Sequence, residues 1–550
     1  MSSETSTRRA ATWPRFTWRT TAVVTVVAVR LFVAITYRPH FILDAGYDDG
    51  AYVSRAMMFA DGHWATRFDD ITFLRGPLYA LYLAAVSRSG LPLPLVDCVL
   101  LLLTAWWLGH EISHLVTKTG RLTWVLFIGT AVVPIAETLT GVHVIRDTFA
   151  QYLLVATCAA GLHVVRTQRH HWQWLGATGL GIGALLITRE DAIWAVPAGV
   201  ALLVVVVVRD VRARAWWPIV FAVVAFGVAL VGPQAVVTQL NARWGLDAAT
   251  LFNDAAFTRA HQALAKYSND GTSNPYAFTR PMYDSLVERS PSFASIAPGF
   301  EAWQRGDDRV TYVDAIRFGL GYGLHASGQL ADEHVRNRTL TGIADEIEAL
   351  CVADDRTACD EWAGPPPIPV VRPSDVWAAI IRPLTGAEQL LMVEGPPSAV
   401  PGHDGSAAAL REWEVITNTS PPPGSYTVVD GIVRFTAERT TAGTIAESVV
   451  LTTGRVLSPA IRIAGLLAGI LLAVRRQWRL LGVGAVLLAT AWIRASQVAL
   501  ATHFRIGDFD FHYVQPAATL VHVTALIWLG AAWVARSDRR SMVDATVTTA

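Results

Sequence analysis

Apolar residues in this chain gather into ten long runs, near residues 20–37, 93–113, 122–141, 148–165, 173–188, 191–208, 215–237, 456–474, 479–500 and 512–535. A helical run of about 20 apolar residues matches the hydrocarbon thickness of a bilayer, so each run predicts a transmembrane helix. A shorter stretch, Pro77 to Val86 (PLYALYLAAV), falls well below that length and predicts an interfacial or re-entrant helix. Between 239 and 455 the pattern turns polar, and PPPIP at 365–369 and PPPG at 421–424 mark irregular loops. The expected fold is an all-α polytopic membrane protein with about ten transmembrane helices and an inserted extracytoplasmic mixed α/β domain. Three parts are expected: a transmembrane module at 1–238 with a first outer loop at 38–92, the extracytoplasmic domain at 239–455, and C-terminal helices with a short cytoplasmic tail at 456–550.

Composition agrees. Of 550 residues, 52% are hydrophobic and 16% charged, and the mean hydropathy is +0.35; an ordinary soluble enzyme is more polar. Basic and acidic residues balance at 45 each, so no global basic field points to nucleic acid. The first run carries Arg30 and lacks a small-residue cleavage site, which predicts an uncleaved helix rather than a signal peptide. Of the four cysteines, Cys98 and Cys158 lie in apolar runs and read as packing residues. Cys351 and Cys359 flank a polar stretch where a local disulfide is expected if that region is extracytoplasmic.

Charge sets the orientation. With Arg8, Arg9, Arg15 and Arg19 inside, ten spans put every basic cluster at a helix end on the same side: Lys118 and Arg121, Arg166 and Arg169, Arg209 to Arg214, Arg475 to Arg479, and Arg536 to Arg540. Counting Pro77–Val86 as a span would invert every later loop. The ten-span alternation puts both termini in the cytoplasm of a plasma-membrane protein and segment 239–455 outside.

The same alternation gathers the remaining conspicuous charges on the outer face. These are Asp48 and Asp49 (GYDDGAY), Arg146-Asp147 (VHVIRDTF), Arg189-Glu190-Asp191 (LITREDAIW) and the final loop HFRIGDFDFHY with Arg505, Asp508, Asp510 and His512. Each has two readings. Asp48 and Asp49 either cap the helix that follows them or act in chemistry, one as a general base and the other as its helper or a cation ligand. Arg189-Glu190-Asp191 is either a locally paired helix junction or a site in which Arg189 contacts a phosphate and an acid holds a hydroxyl or metal. Arg146-Asp147 reads as an interfacial ion pair or as part of that site. In the final loop Arg505 and His512 are candidates for a lipid phosphate. Asp49, Asp508 and Asp510 are the candidate ligands of a divalent cation, Mg2+ or Mn2+, although no tight ligand spacing is present. A transporter would place such charges at mid-membrane; a ring of charges at one water interface favours a site at the outer leaflet.

Ordered motifs then carry a family resemblance. An acidic pair followed by Tyr and a small-residue helix (YDDGAYVSRAMMFADGHW), a Pro-Leu-Tyr interfacial stretch (RGPLYALYLAAV) and a Thr-Arg-acid junction (LLITREDAIWAVPAG) resemble the bacterial GT-C glycosyltransferases akin to protein O-mannosyltransferases and lipid A aminoarabinose transferases. HYVQP, with His512 and Tyr513, is similar to that family's Arg-Tyr-x-x-Pro near the last span. The match covers roughly 20–210 and 500–520; segment 239–455 matches nothing. The resemblance implies an inverting sugar transfer from a polyprenyl-phosphate donor to an envelope acceptor (protein, lipid or polysaccharide). Asp48 would be the base, Asp49 its helper, and Arg189 and Arg505 candidates for the donor phosphate. Two further classes remain: a lipid-linked-sugar flippase or transporter, and a non-catalytic envelope scaffold.

Overall fold

The computed structural model of the protein describes residues 17–36, 41–43, 49–117, 119–132, 144, 146–167, 171–268, 277–302, 309–312, 316–354, 373–385, 402–421, 424–435, 441–503 and 511–548. The first half contains α1 (Trp18–Thr36), β1 (Phe41–Ile42), α2 (Asp49–Ala60), α3 (Leu78–Ser89), α4 (Leu93–Thr117), α5 (Thr123–Val132), α6 (Arg146–Arg166), α7 (His171–Thr188), α8 (Val196–Arg212) and α9 (Trp216–Ala242). A largely helical stretch follows, with α10 (Ala255–Ser268), β2 (Ala277–Thr279), α11 (Arg280–Arg289), α12 (Pro291–Ala294), α13 (Ala297–Ala302), β3 (Arg309–Tyr312), α14 (Ile316–Ala326) and α15 (Glu333–Ala353). Next come α16 (Pro373–Thr385), β4 (Gly402–His403), β5 (Gly405–Ser406), α17 (Ala407–Thr417), β6 (Tyr426–Val429) and β7 (Ile432–Phe435). The chain closes with α18 (Thr441–Val474), α19 (Trp478–His503) and α20 (Phe511–Thr548).

Among the described residues eight helical stretches are long and apolar enough to cross a membrane: Trp18–Thr36, Leu93–Thr117, Arg146–Arg166, Ala192–Arg212, Trp216–Ala242, Val456–Val474, Trp478–Leu500 and Gln515–Arg536. All eight lie on predicted runs. The predicted run at 122–141 is described only as the shorter apolar helix Gly120–Val132. The run at 173–188 is α7, whose apolar average is diluted by His171, Trp172, Gln173, Trp174 and several glycines. Packing explains that composition. A Cβ on Gly179 would come within 2.7 Å of the Phe226 carbonyl oxygen of α9, and one on Gly183 within 2.7 Å of that of Leu230. Small residues let two helix backbones approach where hydrophobicity alone cannot drive association. As expected, Pro77–Val86 is no span: α3 has 12 residues.

Burial orders the bundle. The Gln515–Arg536 window of α20 is 78% buried and that of α9 only 11%, so α20 is the central helix and α9 a peripheral one. The arginine inside the first apolar run bonds to carbonyls of a neighbouring helix. Arg30 Nε donates to the Ala131 carbonyl at 2.6 Å and Nη2 to that of Val132 at 3.3 Å, which ties α1 to α5. At one end of the bundle Glu111 accepts from Arg166 Nε at 2.9 Å and meets His163 Nδ1 at 3.0 Å, while Asp210 meets His171 Nε2 at 2.7 Å. Arg146 opens α6 and Arg166 closes it, which puts the functional-site candidates about 30 Å away, at the other end.

Two further cores lie beyond the bundle. One joins Ala65, Phe68, Phe73 and Leu74 to the helices from Leu246 to Cys351. The other joins α2 and α3 to Leu410, Trp413, Ile416 and Val433. Strands seam these parts. β1 pairs in parallel with β4 (Phe41 with Gly402), β2 runs antiparallel to β3, and β5, β7 and β6 form an antiparallel sheet in that order. Asp430 and Gly431, at φ 52° and 76°, make the tight turn between β6 and β7, the backbone that Asp-Gly favours in hairpins. Asn418 closes α17 and donates its amide to the Val86 carbonyl at 2.8 Å and that of Leu91 at 3.0 Å, holding α17 on α3. Cys98 and Cys158 are free and buried, as read from the sequence. Cys351 is disulfide-bonded, and Cys359 lies outside the described residues.

Candidate functional site

Three chain segments meet at the junction between α7 and α8. Thr188 ends α7, and a 3-10 turn at Ala192–Ala195 leads into α8. Arg189, Glu190 and Asp191 occupy the break, where the backbone is not committed to a continuous helix. From this turn the three side chains reach three other parts of the chain. Glu190 Oε2 accepts from Arg146 Nη1 at 2.6 Å, and the same nitrogen reaches the Thr188 carbonyl at 3.2 Å. Glu190 Oε1 accepts from the backbone N–H of Gly76 at 3.2 Å, and Arg75 Nη1 stands 4.0 Å from Oε2. Arg189 pairs with Asp147 and donates from Nε to Asp191 Oδ1 at 3.0 Å. Asp191 Oδ2 receives Arg494 Nη1 of α19 at 2.7 Å. Gln497, one turn further along α19, accepts from Arg494 at 3.0 Å and donates to the Asp191 carbonyl at 3.1 Å.

Burial gives these pairs their strength, because a charge out of water must be matched by a partner. Arg189 is 3% exposed and Arg494 1%. Burial pushes the Glu190 carboxyl up, but Arg146 and Arg75 beside it outweigh that and hold it below its ordinary value. Glu190 is therefore an ionised hub and not a proton donor at neutral pH. Arg189 is held between two carboxylates, so its guanidinium organises the junction from within.

The RGP loop is docked here by shape as well as charge. A Cβ on Gly76 would overlap the Ile187 carbonyl oxygen, so only glycine lets the loop lie against the end of α7. Its neighbour Arg75 stands over the Phe318 ring of α14 at 5.8 Å, and Arg317 stands over the same ring at 4.8 Å. The polar segment therefore contributes an aromatic face to the loop that touches Glu190. Behind the loop, Arg55 of α2 donates to the Arg75 carbonyl at 2.7 Å. Its guanidinium is 3% exposed and sits over Phe59, Trp64 and Phe73 at 5.5, 5.5 and 5.3 Å. Burial lowers its pKa, and the aromatic faces offset part of that cost. Arg55 thus ties α2, the helix that follows the acidic pair, to the loop docked on Glu190.

Of the residues singled out in the sequence, Arg146, Asp147, Arg189, Glu190 and Asp191 come together in this one network. Asp49 is the first residue of α2. Asp48, Arg505, Asp508 and Asp510 lie outside the described residues, as do the side chains of Asp49, His512 and Tyr513. Among the described residues no group of three or more His, Cys, Asp and Glu is arranged to hold a metal ion. The sequence reading did not include Arg494, Gln497, Gly76, Arg55 or Phe318 in the site. Arg494 carried a usable signal, an arginine well inside the apolar run 479–500, since intramembrane charges mark paired or functional sites.

No protein-family model and no curated protein matches the chain. Two solved structures of ArnT from Cupriavidus metallidurans, one apo and one bound to undecaprenyl phosphate, align with 92% of this chain and 77% of each of theirs. Identities of 13% and 14% and TM-scores of 0.31 and 0.30 are too low to carry an argument about this chain.

Proposed function

We propose that the protein is a GT-C-type integral membrane glycosyltransferase that moves a sugar from a polyprenyl-phosphate-linked donor to an envelope acceptor at the outer face of the plasma membrane. One observation carries the reading: the RGP loop, the Arg146-Asp147 pair and the Arg189-Glu190-Asp191 junction, motifs far apart in the chain, are bonded to one another through Glu190 and Arg189. The RGP loop and the Arg189-Glu190-Asp191 junction are two of the motifs on which the family resemblance rests, and Arg55 links the helix after a third, the acidic pair, to the same cluster. A disulfide at Cys351 suits an oxidising compartment for segment 239–455.

In this reading Asp48 takes the proton of an acceptor hydroxyl. The oxygen then attacks the anomeric carbon from the face opposite the phosphate, and polyprenyl phosphate leaves with the electron pair of the broken C–O bond, inverting the centre. Charge building on the leaving phosphate calls for fixed cations. Arg505 is the candidate contact, while Arg189 orders the junction. Asp49 assists the base or binds a divalent cation. The test is transfer from a labelled lipid donor in membranes: Asp48→Asn abolishes transfer at normal expression, and near wild-type transfer by that variant overturns the assignment.

A lipid-linked-sugar transporter is the second reading, favoured by Arg462 and His522, which are 2% and 0% exposed inside the bundle. It predicts movement of intact lipid-linked sugar with no labelled product and dependence on those two residues rather than on Asp48.

A further inference from the structure

Helix α16 lies in the middle of the polar segment, yet it is built inside out. Its 13 residues, PSDVWAAIIRPLT, form an amphipathic helix, but the polarity is opposite to that of a helix packed on a water-soluble protein. Ala379 is 3% exposed and sits in the same core as the membrane bundle. Pro383 shares its face, one turn on, and is buried; Asp375 and Arg382, which flank that face, are half-buried. The charged positions of α16 thus lean toward the protein.

The face turned away is apolar. Val376, Trp377, Ile380, Ile381 and Leu384 recur at helical spacing and are 40%, 64%, 39%, 40% and 64% exposed. Water is a poor neighbour for such a face, because apolar surface is more stable once removed from it. The helix against which α16 packs is α19, which contains the membrane span Trp478–Leu500. That span exposes apolar side chains of its own, including Val486 and Ile493 at 40% and 42%, so α16 packs on a helix that is itself long and apolar enough to cross a bilayer. At 13 residues, about 20 Å, the helix is too short to cross.

We infer that α16 is an interfacial helix: it lies at the boundary of the bilayer with Trp377, Ile381 and Leu384 among the lipid chains, and it returns the polar segment to the membrane midway along its length. Trp suits that depth, since its ring is apolar and its N–H reaches the headgroup level. α19 is also the helix that carries Arg494 and Gln497 to Asp191, so the membrane-seated helix flanks one wall of the candidate site. The inference does not depend on the proposed reaction.

The experiment places a nitroxide on the full-length protein in liposomes, at Ile381→Cys or Leu384→Cys, with Cys98→Ala and Cys158→Ala removing the free thiols. Val429→Cys, whose native side chain is 54% exposed on β6, serves as the water-exposed reference. The expected result is a several-fold higher ratio of oxygen to nickel-chelate collision at 381 and 384 than at 429. A ratio like that at 429 puts the face in water and overturns the inference. Exclusion of both reagents together with label–label broadening shows a second copy covering the face and also overturns it. If the cysteine variants fail to fold, Trp377→Phe gives an independent reading: the emission it removes is quenched by brominated phospholipid, whereas quenching of that component by iodide alone counts against a membrane position.

Discussion

Arg146 and Glu190 stand 44 residues apart in sequence and meet at 2.6 Å, Nη1 to Oε2. The contact joins the first residue of α6 to the break between α7 and α8, and through the Gly76 N–H it reaches the loop before α3. Three parts of the chain are therefore indexed on one carboxylate.

Replacing that carboxylate should be costly in a pH-dependent way. Glu190→Gln leaves Arg146 half-paired in a partly dry site, and a loss of about 2–3 kcal/mol follows from removing a charged partner. Because the folded-state pKa of Glu190 is held below its ordinary 4.5, its contribution is complete above that value and fades as pH falls through the lower folded value. Thermal unfolding in detergent should show a gap between Glu190→Gln and wild type at neutral pH that closes under acid. A gap independent of pH would show that lost packing, and not charge, is the cause.

Gly76→Ala should separate loop docking from charge. A methyl group there collides with the Ile187 carbonyl, a rigid backbone atom, so the loop must move and give up its N–H bond to Glu190. Donor KM should rise and kcat should fall at least tenfold, about 1.4 kcal/mol, while Gly227→Ala on α9, with nothing near its Cβ, leaves the donor KM near wild type. Equal effects at the two glycines would argue that Gly76 has no docking role.

Phe318 offers a test of what the polar segment contributes. Its ring stands beneath both Arg75 and Arg317, and each such stack is worth about 0.5–2 kcal/mol. Phe318→Ala should weaken donor binding several-fold, and Phe318→Trp should retain it, because indole is the strongest cation acceptor among the rings. Loss of binding in both variants would point to shape rather than to cation stacking.

The disulfide makes a countable prediction. Four cysteines are present, of which Cys98 and Cys158 are free and Cys351 is bonded. Denatured protein should take up two maleimide groups without reductant and four with it, and reduction should lower thermal stability by about 2–4 kcal/mol at most. Four labels without reductant would refute the bond.

The membrane character and the positions of the spans were legible because lipid imposes a simple rule: about 20 residues without water-seeking groups must hide their backbone in a helix. The same rule made Pro77–Val86 recognisable as too short. α7 was legible as a run, although its glycines and polar first turn dilute its hydropathy, and only its packing against α9 explains them. Charges near helix ends could be grouped on one side by counting crossings. Their partners could not, because Glu190 has two arginines within reach and the choice between a local pair with Arg189 and a distant one with Arg146 depends on how the junction turns.

By itself the sequence determined the apolar runs, the short stretch before α4, the buried cysteines and the placing of Arg146, Asp147, Arg189, Glu190 and Asp191 at helix ends of one face. Periodicity and length are properties of the chain, and a bilayer reads them directly. Only the tertiary structure decided that Arg189 faces inward between Asp147 and Asp191, that Arg494 completes Asp191, that Phe318 reaches Arg75, and that α16 turns its apolar face away from the protein. Each of those outcomes depends on which surfaces meet across hundreds of residues, where the energy lies in contact geometry and burial rather than in any local run of residues.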